Sequence, residues 1–152
     1  MVMPTRTGFS IIELIVVMSL ISILAVYALP KLSLESFRQA GFAQQAAAAV
    51  RYAQKQAIAS GCTVSVSITA SACSLNWLNP AADASCPANN TVIANPASGG
   101  SNFCRDSTPG ATSNLPASFS FDKIGRPSAA QNINLGNRTL KVEAETGYTH
   151  EI

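Results

Sequence analysis

Residues 7–18, TGFSIIELIVVM, hold the irregularity on which the reading of this chain turns. No charged side chain occurs from Leu14 to Pro30, and the wider apolar stretch 9–30 is interrupted only by Glu13. As a helix, 9–30 would span about 33 Å at 1.5 Å per residue, enough for the hydrocarbon core of a bilayer. Arg6 and the amino terminus precede it, so that end is expected to stay cytoplasmic and the remainder to be exported. A plain membrane anchor is one reading. A cleaved secretory signal is another, with Val26-Tyr27-Ala28 as a small-residue cleavage site. Neither accounts for an acid near the start of the apolar core, which weakens insertion by roughly a few kcal/mol.

A third reading rests on order: a short basic leader, Gly8-Phe9, an acid four residues after Phe9, then an unbroken apolar run. That order resembles the class III signal of type IV pilins and type II secretion pseudopilins. The resemblance implies that a prepilin peptidase removes leader 1–8 by cutting between Gly8 and Phe9, then methylates the new amine of Phe9. A glycine suits such a site, because without a Cβ its backbone can lie extended in a tight space. The resemblance further implies a single-pass inner-membrane protein of bacteria, with a cytoplasmic amino end and a periplasmic head. The inner-membrane assembly machinery would then pack it, through its N-terminal helix, with other pilins into a cell-surface filament. In a bundle of such helices a carboxylate needs a cation, and the amine of a neighbouring subunit's Phe9 is the candidate for Glu13. Pairing within one chain is the alternative, since residues four apart adjoin on a helix, and the sequence leaves both open.

Beyond the apolar stretch, Pro30 disfavours a straight continuation, and family members commonly carry a proline there. Ser22 departs from the resemblance, standing where many major pilins have glycine. Residues 31–61 resume a helical pattern that ends at Gly61, a favourable residue just past a helix. Phe42, Ala46, Ala49, Val50, Ala53 and Ala57 recur at spacings of three and four, one apolar face of mostly small side chains. An alanine stripe lets a sheet approach closely. Arg51 and Lys55 are like charges one turn apart, expected in solvent or against an acidic partner.

Residues 62–152 read as a β-rich head. CTVSVSIT (62–69) and CSLNWL (73–78) alternate apolar and polar residues, as half-buried strands do, with a hairpin turn at 70–72. If Ile68 faces Cys73, Cys62 falls opposite Asn79, and Cys62 and Cys73 lie about 20 Å apart at 3.3 Å per residue. Bridged Cα atoms lie within about 7 Å, so a Cys62–Cys73 bond is disfavoured. Full pairing would then link Cys62 and Cys73 with Cys86 and Cys104; a lone Cys86–Cys104 bond with two free thiols stays open. Export to an oxidising compartment favours disulfides over buried thiols. Residues 79–118, rich in Ala, Asn, Ser, Pro and Gly, have few apolar anchors and read as a partner-facing surface or a stapled loop.

Short strands return at 118–121, 132–135, 139–144 and 147–151, with turn signals at Gly125-Arg126-Pro127, Gly136-Asn137 and Gly147. The expected fold class is α+β: a long N-terminal helix, transmembrane in its first half, packed against a small antiparallel sheet. The stretches VRYAQKQAIASGCTVSVSI (50–68), FDKIGRPS (121–128) and GYTH (147–150) resemble the FimT/GspH group of minor pilins. Within it they are similar to the MshC-like members of mannose-sensitive haemagglutinin (MSHA) pili. The implied function is a minor subunit that enters, or primes, a type IV pilus, at or near its tip. A minor pseudopilin of a type II secretion system is the alternative, and a soluble periplasmic protein with a cleaved signal is a more distant one.

Composition narrows the field. The chain carries 10 Lys+Arg against 8 Asp+Glu, with only 12% charged residues, and has no dense basic run of the kind nucleic-acid tails show. A DNA-uptake pilin would need Arg105, Lys123, Arg126, Arg138 and Lys141 to converge on one face, and their even mixing with acids argues against it. No phosphate loop and no metal-ligand spacing occurs, so neither an enzyme nor a cofactor or metal site is expected. His150, the lone histidine, reads as an exposed strand residue rather than a base. Glu143 and Glu145 share a face if the last strands are regular, with Lys141 beside them. Asn89-Asn90-Thr91 and Asn137-Arg138-Thr139 match a glycosylation acceptor pattern, a weak signal in a bacterial-looking chain.

Overall fold

A computed structural model describes residues 9–28, 34–79, 81–104 and 114–152. The chain divides into two compact units, Met1–Leu34 and Glu35–Ile152. In the first, Ile11–Ala28 forms helix α1. Ser10 stands at its N-cap, and its carbonyl accepts the amides of Glu13 (3.0 Å) and Leu14 (3.2 Å). Gly8 and Pro30 lie outside the described residues, as does the start of the helix expected from residue 31.

Helix α2 runs Leu34–Ser60 and stops at Gly61, whose φ of +70° turns the chain out of the helix while its amide still reaches Ala57 O at 3.0 Å. Its small-residue stripe is the buried face: Phe42, Ala46, Val50, Ala53 and Ala57 are wholly inaccessible. Burial of Phe42 alone contributes roughly 2–3 kcal/mol.

The strands are antiparallel, and they divide into two three-stranded sheets where the sequence suggested one. The first contains β1 (Thr63–Ile68), β2 (Cys73–Leu78) and β3 (Ala117–Phe121), in the order β2-β1-β3. The second contains β4 (Gln131–Leu135), β5 (Arg138–Val142) and β6 (Thr149–Glu151), in the order β4-β5-β6. Ile68 pairs with Cys73 and Thr63 with Leu78, the register that alternation suggested. Val64, Val66, Ile68, Leu75, Phe121, Ile133, Leu135, Leu140 and Val142 point into one core with the alanine face of α2. Asn114, just before β3, is bound to β4: its amide donates to Asn132 O, and its side-chain carbonyl accepts Asn134 N at 3.2 Å.

Candidate functional site

Two regions of the chain carry candidate functional residues, and α1 is the first. Every described side chain from Phe9 to Val26 is exposed, with apolar groups on all faces and Phe9 at 86% accessibility. Its two serine hydroxyls are turned to the backbone: Ser19 Oγ donates to Val16 O (2.8 Å) and Ser22 Oγ to Met18 O (2.7 Å). Bonds of this kind let serine sit in apolar surroundings without an orphaned donor. Glu13, in the first turn, is the exception, and it has no ion pair among the described residues. The positive end of the helix dipole favours a carboxylate there, a local reason for its position that the sequence reading did not weigh. Phe9 and Ser10 precede the helix, so Phe9 is not one helical turn from Glu13 on a common helix face. No helix is long and apolar enough to cross a membrane among the described residues. At 18 residues α1 spans about 27 Å, and the flanking residues 1–8 and 29–33 lie outside that description.

The head is the second region, and its four cysteines form two bonds, Cys62–Cys86 and Cys73–Cys104. Both join the hairpin of β1 and β2 to the segment that follows it. That segment, without strand alternation, is laid along the free edge of β2 by backbone bonds: Trp77 N to Thr91 O (2.9 Å), Ile93 N to Leu75 O (2.9 Å) and Phe103 N to Cys73 O (2.8 Å). The segment is stapled at Cys86 and Cys104, a feature compatible with either reading offered by the sequence; 80 and 105–113 lie outside the described residues. Phe103 meets Tyr52 of α2 with ring centroids 5.5 Å apart. Beside them a groove of about 310 Å³ is lined by Ala48, Ala49, Tyr52, Pro96, Ala97 and Phe103.

Sequence reasoning missed the junction that ties two turns to α2. Gln54 Nε2 donates to Gly125 O (2.9 Å) and to Thr146 O (2.8 Å). Gly147 (φ +65°) passes so close to this amide and to Gly125 O that it has no room for a side chain, while Gly125 (φ +83°) lies against the end of Ile58. A Cβ on Gly125 would fall 2.6 Å from Ile58 Cδ1, and one on Gly147 would overlap Gly125 O. The two glycines lie in FDKIGRPS and GYTH, so these stretches have a shared structural reason to exist. Arg51, expected in solvent or near an acid, is exposed and also donates to Thr149 O at 3.0 Å. Glycines in two distant turns were the only signal of this junction.

Arg138 pairs with Glu151 (2.6 Å) and Lys141 with Glu143 (2.8 Å), while Lys123 and Arg126 sit on the β3–β4 connection; Arg105 is outside the described residues. Glu143 and Glu145 do not continue a regular strand, because β5 ends at Val142 and a turn closes with Gly147 N on Glu143 O (2.9 Å). Hydrogen bonding to Lys141 holds the Glu143 carboxyl below its ordinary range, against the opposing effect of desolvation. His150 is half-buried and stacks on Tyr148 at 5.3 Å, with Nε2 4.0 Å from Glu143; its Nδ1 has no partner among the described residues. No cluster that would hold a metal ion occurs among the described residues.

Residues 43–149, nearly the whole head, match the family of the type II transport protein GspH. The chain belongs to the GspH family. Residues 3–29, containing the segment that opened the sequence reading, match the prokaryotic N-terminal methylation motif. Together the two place the chain in the type IV pilin and pseudopilin superfamily, as a pilin-type subunit of pili or of type II secretion. Such families supply structural subunits that assemble with one another, anchored in the inner membrane by the N-terminal helix. Neither curated proteins nor solved structures gave a match.

Proposed function

We propose that the protein is a minor pilin that enters, or primes, a type IV pilus of the MSHA kind. The observation carrying this reading is the series formed by the methylation motif at 3–29 and α1, whose apolar surface has no cover among the described residues of its own unit. In this reading prepilin peptidase cuts between Gly8 and Phe9 and methylates the Phe9 amine. Segment 9–30 then rests in the inner membrane, with the head in the periplasm, until the subunit is drawn into the filament. Glu13 accepts the Phe9 amine of a neighbouring subunit, which disfavours every axial register but one. Phe9 standing outside α1 supports pairing between chains over pairing within one.

Amino-terminal mass spectrometry of the protein from membranes tests the first step: a chain beginning at N-methyl-Phe9 is expected, and an intact leader or a start after Ala28 would overturn it. Replacing Gly8 with a bulky residue should leave leader 1–8 attached. A second reading, a minor pseudopilin of a type II secretion system, is favoured by the family match over 43–149. Deleting the gene separates the two, since loss of surface pili supports the first and loss of exported enzymes the second. Arg138 and Lys141 in ion pairs weigh against DNA uptake.

A further inference from the structure

The two disulfides of the head stand in different surroundings. Cys73 and Cys104 are wholly inaccessible and belong to the core cluster. Asn102 closes over them, its Oδ1 accepting both Cys73 N and Cys104 N at 3.0 Å, and Phe103 N binds Cys73 O at 2.8 Å. Cys62 is 4% exposed and Cys86 is half-buried, and neither belongs to that cluster. Access to a sulfur governs thiol–disulfide exchange, so the two bonds are not equally open to it.

The loop that carries Cys86 is clasped by a single side chain. Asn79 Nδ2 donates to Asp83 O (2.9 Å), Cys86 O (3.3 Å) and Pro87 O (3.1 Å), and Asn79 Oδ1 accepts Asp83 N (2.9 Å). Asn89 Oδ1 accepts Asn79 N (3.0 Å), and Asn90 N donates to Trp77 O (2.8 Å). These bonds run between residues 77 and 90, whereas the Cys62–Cys86 bond ties the loop to the corner where α2 gives way to β1. That corner already holds a partner for the reduced form. Cys62 Sγ lies 3.6 Å from Ser60 O, at the end of α2, where helical carbonyls lack helical donors. A disulfide sulfur has no proton to give that carbonyl, and a thiol has one.

We infer that the Cys62–Cys86 bond is a thiol–disulfide exchange site for a dithiol, and that opening it unlatches loop 81–89 while Cys73–Cys104 keeps the core closed. A thiolate of the dithiol bonds to Cys86 Sγ, the more accessible sulfur. The Cys62–Cys86 bond breaks with its electron pair on Cys62 Sγ, which takes up a proton and turns it to Ser60 O. The second thiol of the reagent then displaces Cys86 as a thiol. The dithiol is thereby oxidised by two electrons to a disulfide, and the cystine is reduced to two thiols. The bonds of Asn79 do not pass through the disulfide, so the loop leaves the corner as a preformed unit.

Dithiothreitol is the probe, added without denaturant to the full-length protein in detergent, with timed alkylation and mass spectrometry of the cysteine peptides. Cys62 and Cys86 should be alkylated at least about tenfold faster than Cys73 and Cys104. Urea below the unfolding transition should leave the faster rate unchanged and raise the slower one, because only the buried bond waits on opening of the core. Brief digestion with proteinase K should cut within 81–89 once Cys62 and Cys86 are alkylated, and spare those residues in the oxidised protein. Cys62→Ser with Cys86→Ser should be cut there with no reductant, its Cys73–Cys104 bond intact. Equal rates for the two bonds, earlier reduction of Cys73–Cys104, or a urea-dependent rate at Cys62–Cys86 would overturn the exchange site. Equal resistance of 81–89 in the oxidised, alkylated and variant proteins would overturn the unlatching.

Discussion

Helix α1 is mostly Ile, Leu and Val, α2 mostly Ala and Gln with scattered charges, and the two meet their surroundings in opposite ways. In α2 most apolar residues keep to one stripe that packs into the head's core, with Phe37 and Ile58 left exposed outside it. In α1 they occupy every face, and all described side chains there are exposed. A helix apolar all round takes its stability from an apolar environment, be it membrane or partner helices. The head therefore has a core of its own, whereas in the reading proposed above α1 is completed by a membrane or by partner helices. Substitutions in the first helix should change assembly and leave the head's stability alone; those in the second should do the reverse.

The largest expected effect breaks the comparison at Glu13. Glu13→Val should leave membrane insertion intact or improved, while incorporation into filaments falls by about tenfold or more, because a buried amine loses its partner. Quantitative blotting of sheared filaments against membranes measures this, and normal incorporation would sink the pairing. In the head, Cys73→Ala with Cys104→Ala should cost about 3–4 kcal/mol in denaturant unfolding, given a sequence separation of 31. Removing Cys62–Cys86, with a separation of 24, should cost less, because Cys73 and Cys104 are wholly buried whereas Cys86 is only half-buried.

Next in size is one substitution made in both helices. Ala53→Leu pushes three extra carbons into the closed interface of α2 and should destabilise the head by about 1–3 kcal/mol. Ala25→Leu in α1 adds the same carbons to an exposed face and should leave unfolding of the head unchanged. Equal effects at the two positions would mean that α1 is packed as α2 is.

What could be read in advance follows from this contrast. An unbroken apolar run exposed α1, and periodicity exposed α2. Ile68 facing Cys73 disfavoured a Cys62–Cys73 bond; of the two pairings then left open, the structure has the one in which both cysteines cross to Cys86 and Cys104. Alternation names the face of a strand and says nothing of its neighbours, so the division into two sheets was hidden. The segment after β2 was hidden for another reason. It is held by side-chain amides such as Asn79, which donates to Asp83 O (2.9 Å) and Pro87 O (3.1 Å), and by backbone bonds that need no pattern. Gln54 is a polar residue on a helix whose acceptors lie 71 and 92 residues away, and no local window contains that information. The role proposed for Glu13 comes from order and spacing alone, because its expected partner lies in another chain.

The smallest effect concerns acid, and it belongs to the head alone. The amide and hydroxyl of Ser85 bind Asp83 (2.9 and 2.7 Å) and hold its carboxyl below the ordinary 3.8. Lys141 does the same for Glu143, below its ordinary 4.5. A depressed carboxyl stabilises the fold above its unfolded value, and that contribution is lost as the pH falls through the folded value. The loss should therefore begin below about pH 4.5 and continue past 3.8. Both groups are exposed, so solvent and salt screen them and the change in Tm should be slight. Measured at about pH 6 and about pH 3, the variant with Asp83→Asn and Glu143→Gln should lose less Tm than the parent chain. An identical acid-induced fall in both proteins would mean that these two turns are held by their backbone bonds, with no help from the carboxylates.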